Sequence, residues 1–204
     1  FAGDGAALFD IYNRYVQANY LNVPDGLPSL EAAVQVIQDE NGDLSVSQWV
    51  AQIQNILWKT CTYQKDNLES VPDGSNVIED FFGRQRKGYC THFASAGVMM
   101  LRMAGIPARY VTGYVIWPDD FKADSASDGY MADVTGYRGH AWVEVYNASQ
   151  GIWVPVDMTP VDSVQTSNYL PTQENSSYSE STDNVSNHYT DSTETISDIG
   201  DTGN

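Results

Sequence analysis

The stretch Gly88-Tyr89-Cys90-Thr91-His92-Phe93-Ala94 decides how the rest of the chain is read. From Cys90 to Ala104 nearly every residue is apolar or small, including Phe93, Ala94, Ala96, Val98, Met99, Met100, Leu101 and Met103. A helix apolar on almost all sides is a buried helix. Gly105 supplies its C-terminal stop and Pro107 prevents continuation. Gly88 permits a tight turn just ahead of the cysteine. Cys90 is thus expected at the start of a central helix, where free N–H groups and the helix dipole favour a thiolate. The plain alternative is a small buried core residue, since free cysteine often packs that way.

Two segments further along bear on that choice. His140, Trp142, Glu144 and Tyr146 alternate with Ala141, Val143 and Val145, which predicts a two-faced strand. Asn147-Ala148-Ser149-Gln150-Gly151 makes a good hairpin connection, with Gly151 free to adopt positive φ, and Ile152 to Asp157 is the returning strand. A turn centred on Ala148 and Ser149 sets His140 directly opposite Asp157. Cross-strand Cβ atoms in such pairs lie about 4.5–5.5 Å apart, which suits a carboxylate that orients an imidazole. Pro155 lacks an N–H, so the returning strand is expected at an edge or at a bulge. Taken singly, His140 reads equally as a half-buried histidine and Asp157 as a turn residue before Met158-Thr159-Pro160. Matched positions downstream of Cys90 point instead to a Cys-His-Asp triad.

Upstream, residues 6–22 carry Leu8, Ile11, Tyr12, Tyr15, Val16 and Ala18 at helical spacing. A second helix is expected from Ser29 as N-cap, with Glu31 in its first turn. A third starts near Ser45 or Ser47 and runs to about Lys59, burying Trp49, Ile53, Ile56 and Leu57. Residues 64–75, with Pro72-Asp73-Gly74, read as a loop, and Asn76 to Phe82 as a short helix. Ala108 to Ile116 reads as a strand, and residues 117–138 as a long loop of the kind that often carries function. Trp117, Tyr130 and Tyr137 in that loop could rim a cleft. Its aspartates 119, 120, 124 and 128 lack the glycine and glutamate placement of a calcium loop, so a solvated loop is the default. His92 lies two residues past Cys90, and helical neighbours two apart do not face each other, so it is structural or lines the site.

Composition narrows the classes. A formal net charge of −17 argues against nucleic acid as a partner. No apolar run approaches the roughly 20 residues of a membrane span. The chain opens on Phe1 rather than methionine and so reads as a piece of a longer protein. Two cysteines without clustered histidines make no zinc site, and no residue pattern asks for a metal or a cofactor. A Cys61–Cys90 disulfide is the bland reading for an exported domain; the setting of Cys90 points to a reactive thiol instead. Residues 161–204 are rich in Ser, Thr, Asn and Asp and contain no Lys or Arg. They cannot build a core, which divides the chain into a domain at 1–160 and an acidic tail or linker at 161–204.

Several blocks together carry a family likeness: Gly88 to Ala94, Leu101-Arg102-Met103-Ala104-Gly105-Ile106-Pro107-Ala108-Arg109, Gly113-Tyr114, Gly139 to Val145, and Trp153 to Pro160. In this order, over about residues 80–160, they resemble the transglutaminase-like superfamily. The resemblance implies an α+β, papain-like transglutaminase core, with N-terminal helices and a central Cys-bearing helix packed on an antiparallel β-sheet. It implies Cys90 as nucleophile, His140 as general base and acid, and Asp157 as orienting carboxylate. The implied activity is thiol-dependent acyl transfer on peptide or glutamine amides, with a protein or peptide as substrate. Whether water or an amine resolves the thioester stays open. The competing class is an inactive binding or scaffold module of a cell-surface protein. Microbial members often form extracytoplasmic parts of membrane proteins, which implies that location and a membrane tether through segments outside this chain.

Overall fold

A computed structural model describes residues 2–160; the expected tail at 161–204 lies outside the described residues. Three helices come first: α1 (Ala2–Asn19), α2 (Pro28–Asn41) and α3 (Val46–Thr60). The start of α3 follows from its sequence. The Ser45 side chain accepts from the Gln48 N–H, and Gln48 returns a bond to the Ser45 N–H, closing a capping box. Helix α2 begins differently from expectation. Its N-cap is Leu27, with Pro28 opening the first turn, and Ser29 lies inside the helix. Both carboxylate oxygens of Glu79 accept from the Ser29 N–H at 3.1 Å, so the cap comes from a residue fifty positions away.

The middle of the chain pairs two short parallel strands, β1 (Thr62–Tyr63) and β2 (Lys87–Gly88). Between them the expected helix at 76–82 resolves into one turn, α4 (Val77–Glu79), and a π-helical segment Asp80–Gln85. The wider turn sinks Asp80, Phe81 and Phe82 into the core, and Asp80 is satisfied there by Arg84 at 2.5 Å and Gln85 at 2.6 Å. The central helix α5 (Cys90–Met103) follows, with Phe93, Ala94, Ala96, Met100 and Leu101 fully buried. It stops as expected: Gly105 takes φ +77 and the Ile106 N–H reaches back to the Leu101 carbonyl at 2.9 Å.

The main sheet is antiparallel, in the order β3 (Ala108–Tyr114), β6 (Gly139–Asn147), β7 (Ile152–Val156). Strand β3 ends two residues short of the expected Ile116. The segment between β3 and β6 carries a small hairpin, β4 (Lys122–Ala123) with β5 (Tyr130–Met131), and two short 3-10 turns. Helix α5 packs on the core face of the sheet, against Ala141, Val143 and Val145, all fully buried. Helices α2 and α3 cover α5 from the other side. Pro155 sits on β7, an edge strand, as its missing N–H requires.

The hairpin register differs from expectation by two residues. Val143 pairs with Val156 and Asn147 with Ile152, so the connection has four residues, 148–151. Asn147 organises it: its Oδ1 accepts from the Ser149 N–H at 3.1 Å, the Gln150 N–H at 3.2 Å and the Ser149 hydroxyl at 2.8 Å. Gly151 takes φ +70 and returns its N–H to the Asn147 carbonyl at 2.8 Å. His140 and Asp157 are therefore diagonal neighbours rather than direct partners. A slip of two preserves the face, because strand side chains alternate with period two.

Candidate active site

Each of the three expected residues is placed by a different element. Cys90 is the first residue of α5, His140 the second of β6, and Asp157 the first residue past β7. The structure brings them into one row. His140 Nε2 and Asp157 Oδ2 are 2.7 Å apart, and His140 and Cys90 line the same cleft, close enough that each shifts the ionisation of the other. Nε2 is committed to the carboxylate, so Nδ1 is the nitrogen left for the sulfur. The second carboxylate oxygen, Oδ1, accepts from the Thr159 N–H at 2.8 Å. Asp157 is thus both a turn residue and the partner of His140.

The electrostatics follow from this row. Burial by itself pushes the Cys90 thiol up. The His140 hydrogen bond and the backbone N–H groups of Ala141 and Thr91 outweigh it, and the thiol ends below its ordinary value. Burial likewise pulls His140 down, but the Asp157 carboxylate and Cys90 overcome it and raise the imidazole to about 9. Both shifts favour thiolate beside imidazolium. Neither cysteine is in a disulfide.

His92 serves the helix start. Its Nδ1 accepts from the Tyr89 N–H at 3.3 Å, and its ring lies against Phe81 and Tyr89. Burial holds this imidazole below its ordinary value despite the Tyr89 bond, so it caps the helix as a neutral group. It also explains Gly88 better than turn formation does. Gly88 has no positive φ; a Cβ there would stand 2.7 Å from His92 Cγ and 2.8 Å from Phe81 Cε2. The glycine is space for the histidine.

The row opens into a cleft of about 700 Å³. Besides Cys90 and His140 its lining includes Lys65, Tyr89, Thr91, Thr112, Tyr114 and Tyr137. Of the three aromatics expected at the rim, Tyr137 lines the cleft, whereas Trp117 and Tyr130 do not. Lys65 carried no signal beyond its residue type, and Tyr114 only its place in the Gly113-Tyr114 block of the family likeness. The backbone N–H of Ala141 was equally illegible, because a main-chain donor has no sequence signature. In the long loop, Asp120 pairs with Arg138 at 2.5 Å and Asp124 accepts from Ser127 at 2.6 Å. Among the described residues, no group of three or more His, Cys, Asp or Glu side chains gathers as a metal would require.

Comparison with known proteins gives the family and agrees with the fold. A family model described as "Transglutaminase-like superfamily" matches residues 31–158. The chain belongs to the transglutaminase-like superfamily. Among curated relatives, it is 33% identical over 143 residues to the uncharacterized protein YebA of Bacillus subtilis. It is 38% identical over 92 residues to a protein-glutamine gamma-glutamyltransferase of Pseudomonas aeruginosa. The matches cover 69% and 45% of this chain but only 19% and 13% of those relatives. Among solved structures, the periplasmic domain of TgpA from Pseudomonas aeruginosa, bound to ethylmercury, aligns with a TM-score of 0.55 at 29% identity. That alignment covers 71% of this chain and 49% of the other. The superfamily fold, a Cys-bearing helix on an antiparallel sheet, is the one expected from the sequence.

Proposed function

We propose that this transglutaminase-like domain catalyses acyl transfer from a peptide or glutamine amide through a thioester on Cys90. The supporting observation is that His140, bonded to Asp157 at 2.7 Å, shares the lining of one open cleft with Cys90. The Cys90 thiolate attacks the amide carbonyl and a C–S bond forms. The N–H groups of Thr91 and Ala141 are the backbone donors at hand for the oxyanion. The His140 imidazolium gives its proton to the departing nitrogen as the C–N bond breaks. His140, now neutral, takes a proton from the incoming water or amine, whose attack releases the thiolate. Asp157 keeps the ring in one orientation and balances its charge throughout.

A protein glutamine side chain is the acyl donor this reading favours, supported by the relative named as a protein-glutamine gamma-glutamyltransferase. An extracytoplasmic location is supported by the periplasmic neighbour. A domain of a larger, membrane-tethered protein, with residues 161–204 as linker, accords with the small share of the relatives that the chain spans.

Incubation with a glutamine-containing peptide and a labelled primary amine tests the proposal by mass spectrometry. Amine incorporation supports transamidation, and conversion of glutamine to glutamate supports hydrolysis. Absence of both, with Cys90 alkylated no faster than Cys61, would leave a scaffold.

A further inference from the structure

Asp157 poses a problem of support. The last ladder pair of β6 and β7 is Val143 with Val156, so the sheet ends one residue before the carboxylate. Nothing in the ladder fixes the peptide groups on which Asp157 depends. Helix α3 reaches them. Gln54 Nε2 donates to the Asp157 carbonyl oxygen at 2.8 Å, and Trp58 Nε1 donates to the Met158 carbonyl oxygen at 2.9 Å. Residues four apart share a helix face, so one face of α3 presents two donors to two consecutive carbonyls. Trp58 remains 39% exposed. A tryptophan so placed is not a core residue, and its one polar group is spent on this contact. From the opposite side, Gly97 of α5 gives the Met158 side chain its seat; a Cβ there would meet Met158 Cγ at 2.5 Å.

We infer that Gln54 and Trp58 are positioning residues that hold the Asp157–Met158 backbone so that the carboxylate meets His140. Peptide groups left to water past a strand end fray readily. With both carbonyls tied to α3, the Asp157 side chain is left to span the Thr159 N–H and His140 Nε2 at once. The inference concerns the site that the proposed function uses, yet it rests on contacts that exist whether or not an amide is turned over.

The test uses Trp58→Phe, which keeps an aromatic ring but loses the N–H, and Gln54→Met, which keeps length and loses the amide, alone and combined. His140 is followed by NMR titration, and Cys90 by iodoacetamide alkylation against pH. The titratable groups facing the ring are Asp157 and Cys90, and the cleft adds Lys65, Tyr89, Tyr114 and Tyr137. The double variant is expected to titrate His140 well below about 9, toward the ordinary 6.5. Each tenfold loss in the hold on the proton moves the midpoint by about one pH unit. Cys90 alkylation at neutral pH slows in step. In an Asp157→Ala background the same two substitutions should change neither readout. An unchanged His140 titration with a lowered melting temperature overturns the inference, as does an equal effect without Asp157. If the double variant does not fold, Trp58→Phe alone decides by the same readouts. Loss of amide turnover in the parent protein would sink the proposed function and leave these titrations interpretable.

Discussion

The two cysteines are a matched pair placed at opposite ends of two helices. Cys61 caps the C-terminus of α3, and Cys90 opens the N-terminus of α5. Both are buried, at 5% and 8% exposure, and both are free thiols. Burial pushes Cys61 up to about 12, with Arg86 too weak an opponent. Cys90 ends below its ordinary value because His140, Ala141 and Thr91 all offer hydrogen bonds to the sulfur. The partners make the difference: His140 and the N–H groups of Ala141 and Thr91 act on one sulfur, whereas only Arg86 opposes burial at the other. Burial decides Cys61; at Cys90 the partners around the sulfur overturn it.

The sharpest way to break this contrast is to remove one thiol at a time. Cys90→Ala should abolish fast alkylation and any acyl transfer, by three orders of magnitude or more on the order of other covalent catalysts. Cys61→Ala should leave both rates unchanged and lower the melting temperature only. Intact mass after a timed pulse of iodoacetamide reads the alkylation directly.

Next in size is removal of the imidazole. His140→Ala leaves Cys90 with burial and backbone donors alone, so its alkylation at pH 7 should fall by about 10²-fold, toward that of an ordinary buried thiol. A Cys90 that still labels quickly would mean that the helix start, not the row, activates the sulfur.

The pH dependence sharpens the comparison further. His140 is raised from 6.5 to about 9, so the stability it contributes is complete below about 6.5 and lost as pH climbs through about 9. Activity should decline along the same upper limb. Asp157→Asn removes the charge that raises the imidazole and should draw that limb downward; Cys61→Ala should not move it. Melting temperature and initial rate against pH check both statements.

Smallest is the expected effect of the cleft's cation. Lys65 lines the cleft, and among the described residues that line it there is no acidic side chain. The chain as a whole is strongly acidic, at −17. Exchanging Lys65 for methionine should lower the iodoacetate-to-iodoacetamide rate ratio at Cys90 by about two- to fivefold at low salt, as one screened charge allows. The ratio at Cys61 should not move.

Much of the frame was legible because it is local. The Ser45 capping box, the all-round apolar run after Cys90 and the alternation from His140 to Tyr146 each declare an element from a few neighbouring residues. The pairing of His140 with Asp157 was legible only up to parity. The side chain of Asn147 builds a four-residue turn in place of the two-residue one, and the turn sets the register. What escaped has no local trace. Glu79 caps a helix fifty residues before it, and Gln54 and Trp58 reach backbone carbonyls about a hundred residues on. Gly88 was noticed for the wrong reason, since only the folded arrangement shows that His92 occupies the space of its missing Cβ.

The support of Asp157 by α3 has a consequence for the life of the chain before folding is complete. If Gln54 and Trp58 hold Asp157 as inferred, a molecule whose α3 has not docked should carry a Cys90 no more reactive than an ordinary thiol. The reactivity of that sulfur is thereby tied to the docking of α3 on the Asp157–Met158 backbone, a contact made between residues about a hundred positions apart.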